Sequence, residues 1–205
     1  MNYDNKKVAG LLFFVGAAQF VLAVVVSEAI YPGYNVGQQI MSDLGDWSLA
    51  GNAAAIFDVS IVLLGILTVA GAYFIQRGFQ NRLFPSLLVI TGILAVIVGV
   101  IAENVFLSVH TIVAGFFFWF AAASTIMSYK FEKPPLSYLF VILGAIILLA
   151  IVLFSLGNSV NSIFFLDLGI GGMQRFIVYP FLLWLLGLGA YLIGDSSGTT
   201  TTGKV

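Results

Sequence analysis

Along this chain, polar residues punctuate long apolar runs. A helix needs roughly 20 apolar residues to cross a hydrocarbon core. Six runs qualify, at residues 8–30, 52–75, 83–102, 109–129, 136–156 and 173–193. The pattern predicts an all-α, six-helix transmembrane bundle in one domain, residues 1–194, with a polar, disordered tail over 195–205. The first run exceeds the roughly 7–15 residues of a secretory signal core and has no small-residue cleavage site, so it reads as an uncleaved span.

The connections differ in character. The one at 31–51 carries Val36, Ile40, Met41 and Leu44 at helical spacing, with Asn35 placed to cap a helix and Gly45 to end it. This predicts a short interfacial helix lying flat after the first span, with Gln38, Gln39 and Ser42 toward water or the bundle. The connection at 157–172 mixes Asn158, Asn161 and Asp167 with Ile163, Phe164, Phe165 and Leu166. Such a loop either dips into the interface or covers the bundle mouth.

Charge sets the orientation. Lys6, Lys7, Arg77, Arg82, Lys130, Lys133 and Lys204 all fall on one side of a six-span chain, and only Arg175 falls on the other. Basic residues gather on the cytoplasmic side, so both termini are expected there. Tyr31, Tyr34 and Trp47 are expected at the outer interface, and Tyr73, Tyr129 and Tyr138 at the inner one.

Composition narrows the classes of function. Of 205 residues, 60% are hydrophobic and 8% charged, against about a quarter charged in a soluble domain. Lipid must therefore cover most of the surface, which implies a multi-pass protein of the cell membrane with lipids as partners. With no basic run or face, nucleic-acid binding is excluded. The absence of cysteine removes thiolate metal sites, iron–sulfur clusters and cysteine nucleophiles. A single histidine rules out a haem held by two histidines of this chain, and a lone imidazole among carboxylates is a weak metal motif, so no metal or other cofactor is expected.

Six of the nine acids belong to the outer half: Glu28, Asp43, Asp46, Asp58, Glu103 and Asp167. Arg175 opens the sixth span and needs a carboxylate partner; Asp43, Glu103 and Asp58 are the candidates, in that order. Asp58 lies about 9 Å down the second span and is expected to face the bundle interior. His110 opens the fourth span and could hydrogen-bond at a helix start or join Glu103 or Asp43 at a metal. Asn52 is placed to cap the second span. Pro180 leaves the Phe176 carbonyl without its helical donor, with Tyr179 alongside. Asp43, Asp58, Glu103, His110 and Arg175 are thus the candidate binding residues, supported by Ser42, Asn52, Gln174 and Tyr179. The plainer reading is that Arg175 and its partner only fix helix packing. Span glycines such as Gly92, Gly99, Gly187 and Gly189 read as close-packing points.

The segment Ser42–Asp43–Leu44–Gly45, the isolated His110, and Gly172, Gln174, Arg175 and Trp184 in the last span resemble a family of six-span integral membrane proteins. That family is prokaryotic, common in archaea and actinobacteria, and catalogued as a domain of unknown function. The resemblance covers nearly the whole chain. It implies a six-helix bundle and no activity, and it brings Asp43, His110 and Arg175 together. A fainter similarity is to membrane-embedded metal hydrolases of lipid amides, which use several histidines where this chain has one.

Two functions follow from these residues. One is a polar pocket in the extracytoplasmic half that binds, transports or modifies an amphiphile or lipid head group, with Arg175 on an anionic group and the carboxyls or His110 handling protons. The alternative is an accessory subunit of a larger membrane complex, with the aromatic run Phe116–Phe120 as a packing face. Ion or proton transport would rest on Asp58 and Glu103 alone. Whether the protein is an enzyme is left open by the sequence.

Overall fold

The computed structural model describes residues 3–77 and 82–195. The tail beyond Asp195 and the middle of the turn after Arg77 lie outside the described residues. Six long helices make up the described chain: α1 Tyr3–Ile30, α2 Asn52–Gln76, α3 Leu83–Val100, α4 Leu107–Met127, α5 Leu136–Ser159 and α6 Gly169–Asp195. All six are long and apolar enough to cross a membrane. An even number of antiparallel helices brings residues 3 and 195 to one end, here the terminal end; the loops at 31–51, 101–106 and 160–168 lie at the distal end.

Each helix packs on its chain neighbours, and α6 closes back on α1. One stripe of α1, made of Ala9, Phe13, Ala17, Phe20, Val24 and Ser27, is buried at three- and four-residue spacing, while Leu22 and Val25 face outward. Small residues set the tightest approaches. A Cβ on Gly65 of α2 would lie 2.5 Å from the Gly92 carbonyl of α3, and one on Gly92 would lie 2.7 Å from the Gly65 carbonyl. Gly10 of α1 and Gly189 of α6 repeat this reciprocal contact at 2.6 and 2.7 Å. Backbones this close gain dispersion and weak polar contact where no hydrophobic drive separates helix from lipid. Side chains add interhelical bonds: Gln19 Nε2 donates to the Ser60 carbonyl at 2.9 Å, and Trp184 Nε1 donates to Ser128 Oγ at 2.9 Å.

The α6 helix is the most buried of the six spans and α5 the least. The contact of α4 with α6 is slight beside those of α5 with either helix.

The segment 31–51 departs from the expected flat helix. Asn35 does cap a turn, accepting from the Gly37 and Gln38 amides at 2.9 and 3.2 Å. The chain then extends at Ile40 (ψ 160°) before a 3₁₀ turn at Met41–Gly45. Met41 and Leu44 are 3% and 0% exposed, so this turn plugs the bundle instead of lying on the membrane surface. Tyr31 and Tyr34 follow it inward, and of the expected outer aromatics only Trp47 is exposed. Gly51, at φ 55°, occupies the N-cap of α2, and Asn52 makes no capping bond.

Candidate functional site

The sequence-predicted residues fall into three groups at the distal end. The first centres on Arg175, which is 7% exposed. Its ion-pair partner is Glu28, near the end of α1; Asp43, Glu103 and Asp58, the expected partners, do not take that place. Arg175 Nη2 also donates to the Tyr34 hydroxyl at 2.8 Å, and Nη1 donates to the carbonyls of Val36 and Gly171 at 3.2 and 2.9 Å. One guanidinium thus ties α1, the first loop and α6 together. Tyr34 passes its own hydrogen to the Ile40 carbonyl at 3.1 Å. Burial pushes its hydroxyl up to about 12, against the pull of Arg175, so it stays neutral. Tyr179 adds its hydroxyl to the surroundings of Arg175 and Glu28.

The second group is Asp58 with Trp47, whose Nε1 donates to Oδ2 at 2.8 Å. Asp58 also lies over Gly45, where a Cβ would come within 2.5 Å of Oδ1. This carboxylate anchors the first loop to α2. Asp46, in the same loop, accepts from the Ser48 amide and hydroxyl and from the Leu49 amide.

The third group lines a cavity of about 500 Å³ between α4, α5, α6 and the first loop. Glu103, His110, Ser42 and Gln174 form its polar side, and Phe118, Ile151, Phe154 and Ile177 its apolar side. Thr111 and Trp119 of α4 and Ser155 and Asn158 of α5 are exposed wall residues, so the mouth opens between those two helices. From Thr111 to Trp119 the wall descends about 12 Å along α4. A smaller apolar void of about 30 Å³ shares Ser42, Ala114, Phe118 and Gln174 as walls.

His110 is buried at 5% exposure, and its Nδ1 meets the Ile101 carbonyl at 2.7 Å. Its Nε2 and Glu103 Oε2 are buried without a hydrogen-bond partner. Burial pushes the Glu103 carboxyl up to about 7, and the nearby Asp43 and Asp46 add to that push. Burial likewise raises Asp43. Among the described residues no group of three metal-ligating side chains comes together.

Sequence reasoning did not single out Glu28 and Tyr34 as partners of Arg175, nor Thr111, Ser155 and Asn158 as cavity residues. At the terminal end it also passed over Glu132, which is 6% exposed with both carboxyl oxygens unpartnered. The three cavity residues sit on two helices, Thr111 on α4 and Ser155 and Asn158 on α5, and only packing brings them together.

Six apolar helices, closely approached at small residues, define a multi-pass α-helical membrane protein. The chain belongs to the DUF998 family, a protein family of unknown function, which matches residues 14–191. No curated protein and no solved structure matches it.

Proposed function

We propose that this protein binds an amphiphile in the cavity between α4, α5 and α6. The observation that carries the reading is the pairing of a cavity of about 500 Å³ with two buried polar atoms, Glu103 Oε2 and His110 Nε2, that have no partner within the protein. Buried polar groups ordinarily find one, and small-molecule sites combine this range of volume with a few convergent polar groups on apolar walls. A head group at Glu103 and His110 would satisfy both atoms, and a hydrocarbon chain would run along Phe118, Ile151 and Ile177. With the basic residues gathered at the terminal end, that end is cytoplasmic, and the mouth opens toward the outer leaflet of the cell membrane. The role of Arg175 is structural in this reading, because its charge is met by Glu28.

Gly115 supplies the test. It lines the cavity, and a Cβ there would meet nothing within 4 Å. Gly115→Phe has room for its Cβ and should extend its ring into the cavity. Native mass spectrometry of the protein extracted in mild detergent should show an amphiphile on the wild type. The variant should fold and lose at least about ninety per cent of that occupancy, on the order of tenfold in affinity. A wild-type adduct untouched by Gly115→Phe would refute the reading. A bare chain recovered only with a stoichiometric protein partner would favour the accessory-subunit function.

A further inference from the structure

The polar side of the cavity has a chemical bias. A carbonyl oxygen can only accept, so His110 Nδ1, at 2.7 Å from the Ile101 carbonyl, carries the ring hydrogen. In the neutral ring the unpartnered Nε2 then presents a lone pair. Neighbouring groups give their hydrogens back to their own helices. Thr111 Oγ1 donates to the Leu107 carbonyl at 2.8 Å and Ser155 Oγ to the Ile151 carbonyl at 2.9 Å. Asn158 Nδ2 gives one of its two hydrogens to the Phe154 carbonyl at 2.8 Å and keeps Oδ1 free to accept. What these side chains leave for a ligand is mainly oxygen lone pairs, and Glu103 Oε2 adds another acceptor. At the inner wall Gln174 Oε1 accepts from the Met41 amide and its Nε2 gives one hydrogen to Ser42 Oγ at 3.5 Å, so the donors left there are one amide hydrogen and one hydroxyl, both uncharged.

Electrostatics point the same way. Among the described residues no Lys or Arg lines the cavity. Arg175, next to Gln174 in sequence, commits its Nη hydrogens to Glu28, Tyr34 and two carbonyls. Asp43 and Asp46 lie close enough to Glu103 to act on its charge. An anionic head group would meet acceptors and carboxylates. An alcohol offers one hydrogen. An alkylammonium offers three and a positive charge, and hydrogen bonds between ionised groups are roughly twice as strong as neutral ones. Resting on the cavity reading above, we infer that the occupant is an amphiphilic amine, its ammonium donating to Glu103 and His110 and its chain lying along Phe118 and Ile177.

The test compares dodecylamine, dodecanol and dodecanoate as competing ligands of the purified protein in maltoside micelles at neutral pH. Binding is read by native mass spectrometry. Dodecylamine should bind at least about tenfold better than either of the others, and Glu103→Gln should erase that preference. Equal or better binding of the alcohol or the carboxylate by the wild type would overturn the inference, with no variant needed. So would an amine preference that survives Glu103→Gln in a folded variant. If the alcohol wins and Gly115→Phe still blocks it, the cavity reading stands and only the amine is wrong. If Gly115→Phe blocks none of the three, both fall.

Discussion

Arg175 sits where a cation is costly, near the distal end of a membrane helix, and Glu28 offsets that cost across α1 and α6. Removing one partner leaves the other charge buried and unpaired, which costs about 3–5 kcal/mol, whereas replacing both is far milder. Glu28→Gln should therefore lower the melting temperature in detergent markedly, and Glu28→Gln with Arg175→Met should recover most of the loss. A double variant no more stable than the single one would contradict the pairing. Glu132 makes a second case. Its neighbour Ser128 donates to the Thr125 carbonyl and accepts from Trp184, so it has no hydrogen left for the carboxylate. Burial pushes Glu132 from the usual 4.5 up to about 8. The folded protein then holds a proton that the unfolded chain has lost, so stability falls as pH rises from about 4.5 to about 8 and levels off above. Glu103 contributes similarly, but only up to about 7. Thermal scans between pH 7 and 8 should show a decline in the wild type, of roughly a few degrees, that is absent in Glu132→Gln. Parallel curves for the two would rule this out.

The helices themselves were legible because membrane spans are written in consecutive residues, and each expected run lies within or close to an observed helix. The segment 31–51 was not. Its apolar spacing suits a helix, but the extended Ile40 interrupts it, and the bundle accepts Met41 and Leu44 as a plug. Tertiary packing overrides local periodicity in so short an element. The glycines divide along the same line. Gly92 and Gly189 do sit at close approaches, as their place in apolar spans suggests, but sequence cannot tell them from Gly115, which faces open space. The difference is measurable. Gly92→Leu would press on the Gly65 carbonyl and on Val69, costing about 1–3 kcal/mol. Gly115→Leu should cost nothing or stabilise slightly. Equal melting temperatures for the two variants would contradict the crossing of α2 and α3.

At the scale of the whole molecule, the acids that sequence placed at one end do gather there but take separate duties. Glu28 holds Arg175, Asp58 holds Trp47, and Glu103 faces the cavity. Residue type and depth gave their common location. The division among them depends on which helices touch, and no spacing along the chain encodes that. The position of the mouth has a consequence for supply. On the proposed reading, an occupant entering between α4 and α5 would come from the lipid. Its abundance at the site would then be a mole fraction in the leaflet, and each added methylene would enrich it there by about 0.8 kcal/mol before the protein is involved. Tail length would govern delivery, leaving the protein to discriminate by head group alone, so affinities measured against aqueous concentration would rise with chain length even for a site that cannot tell one tail from another.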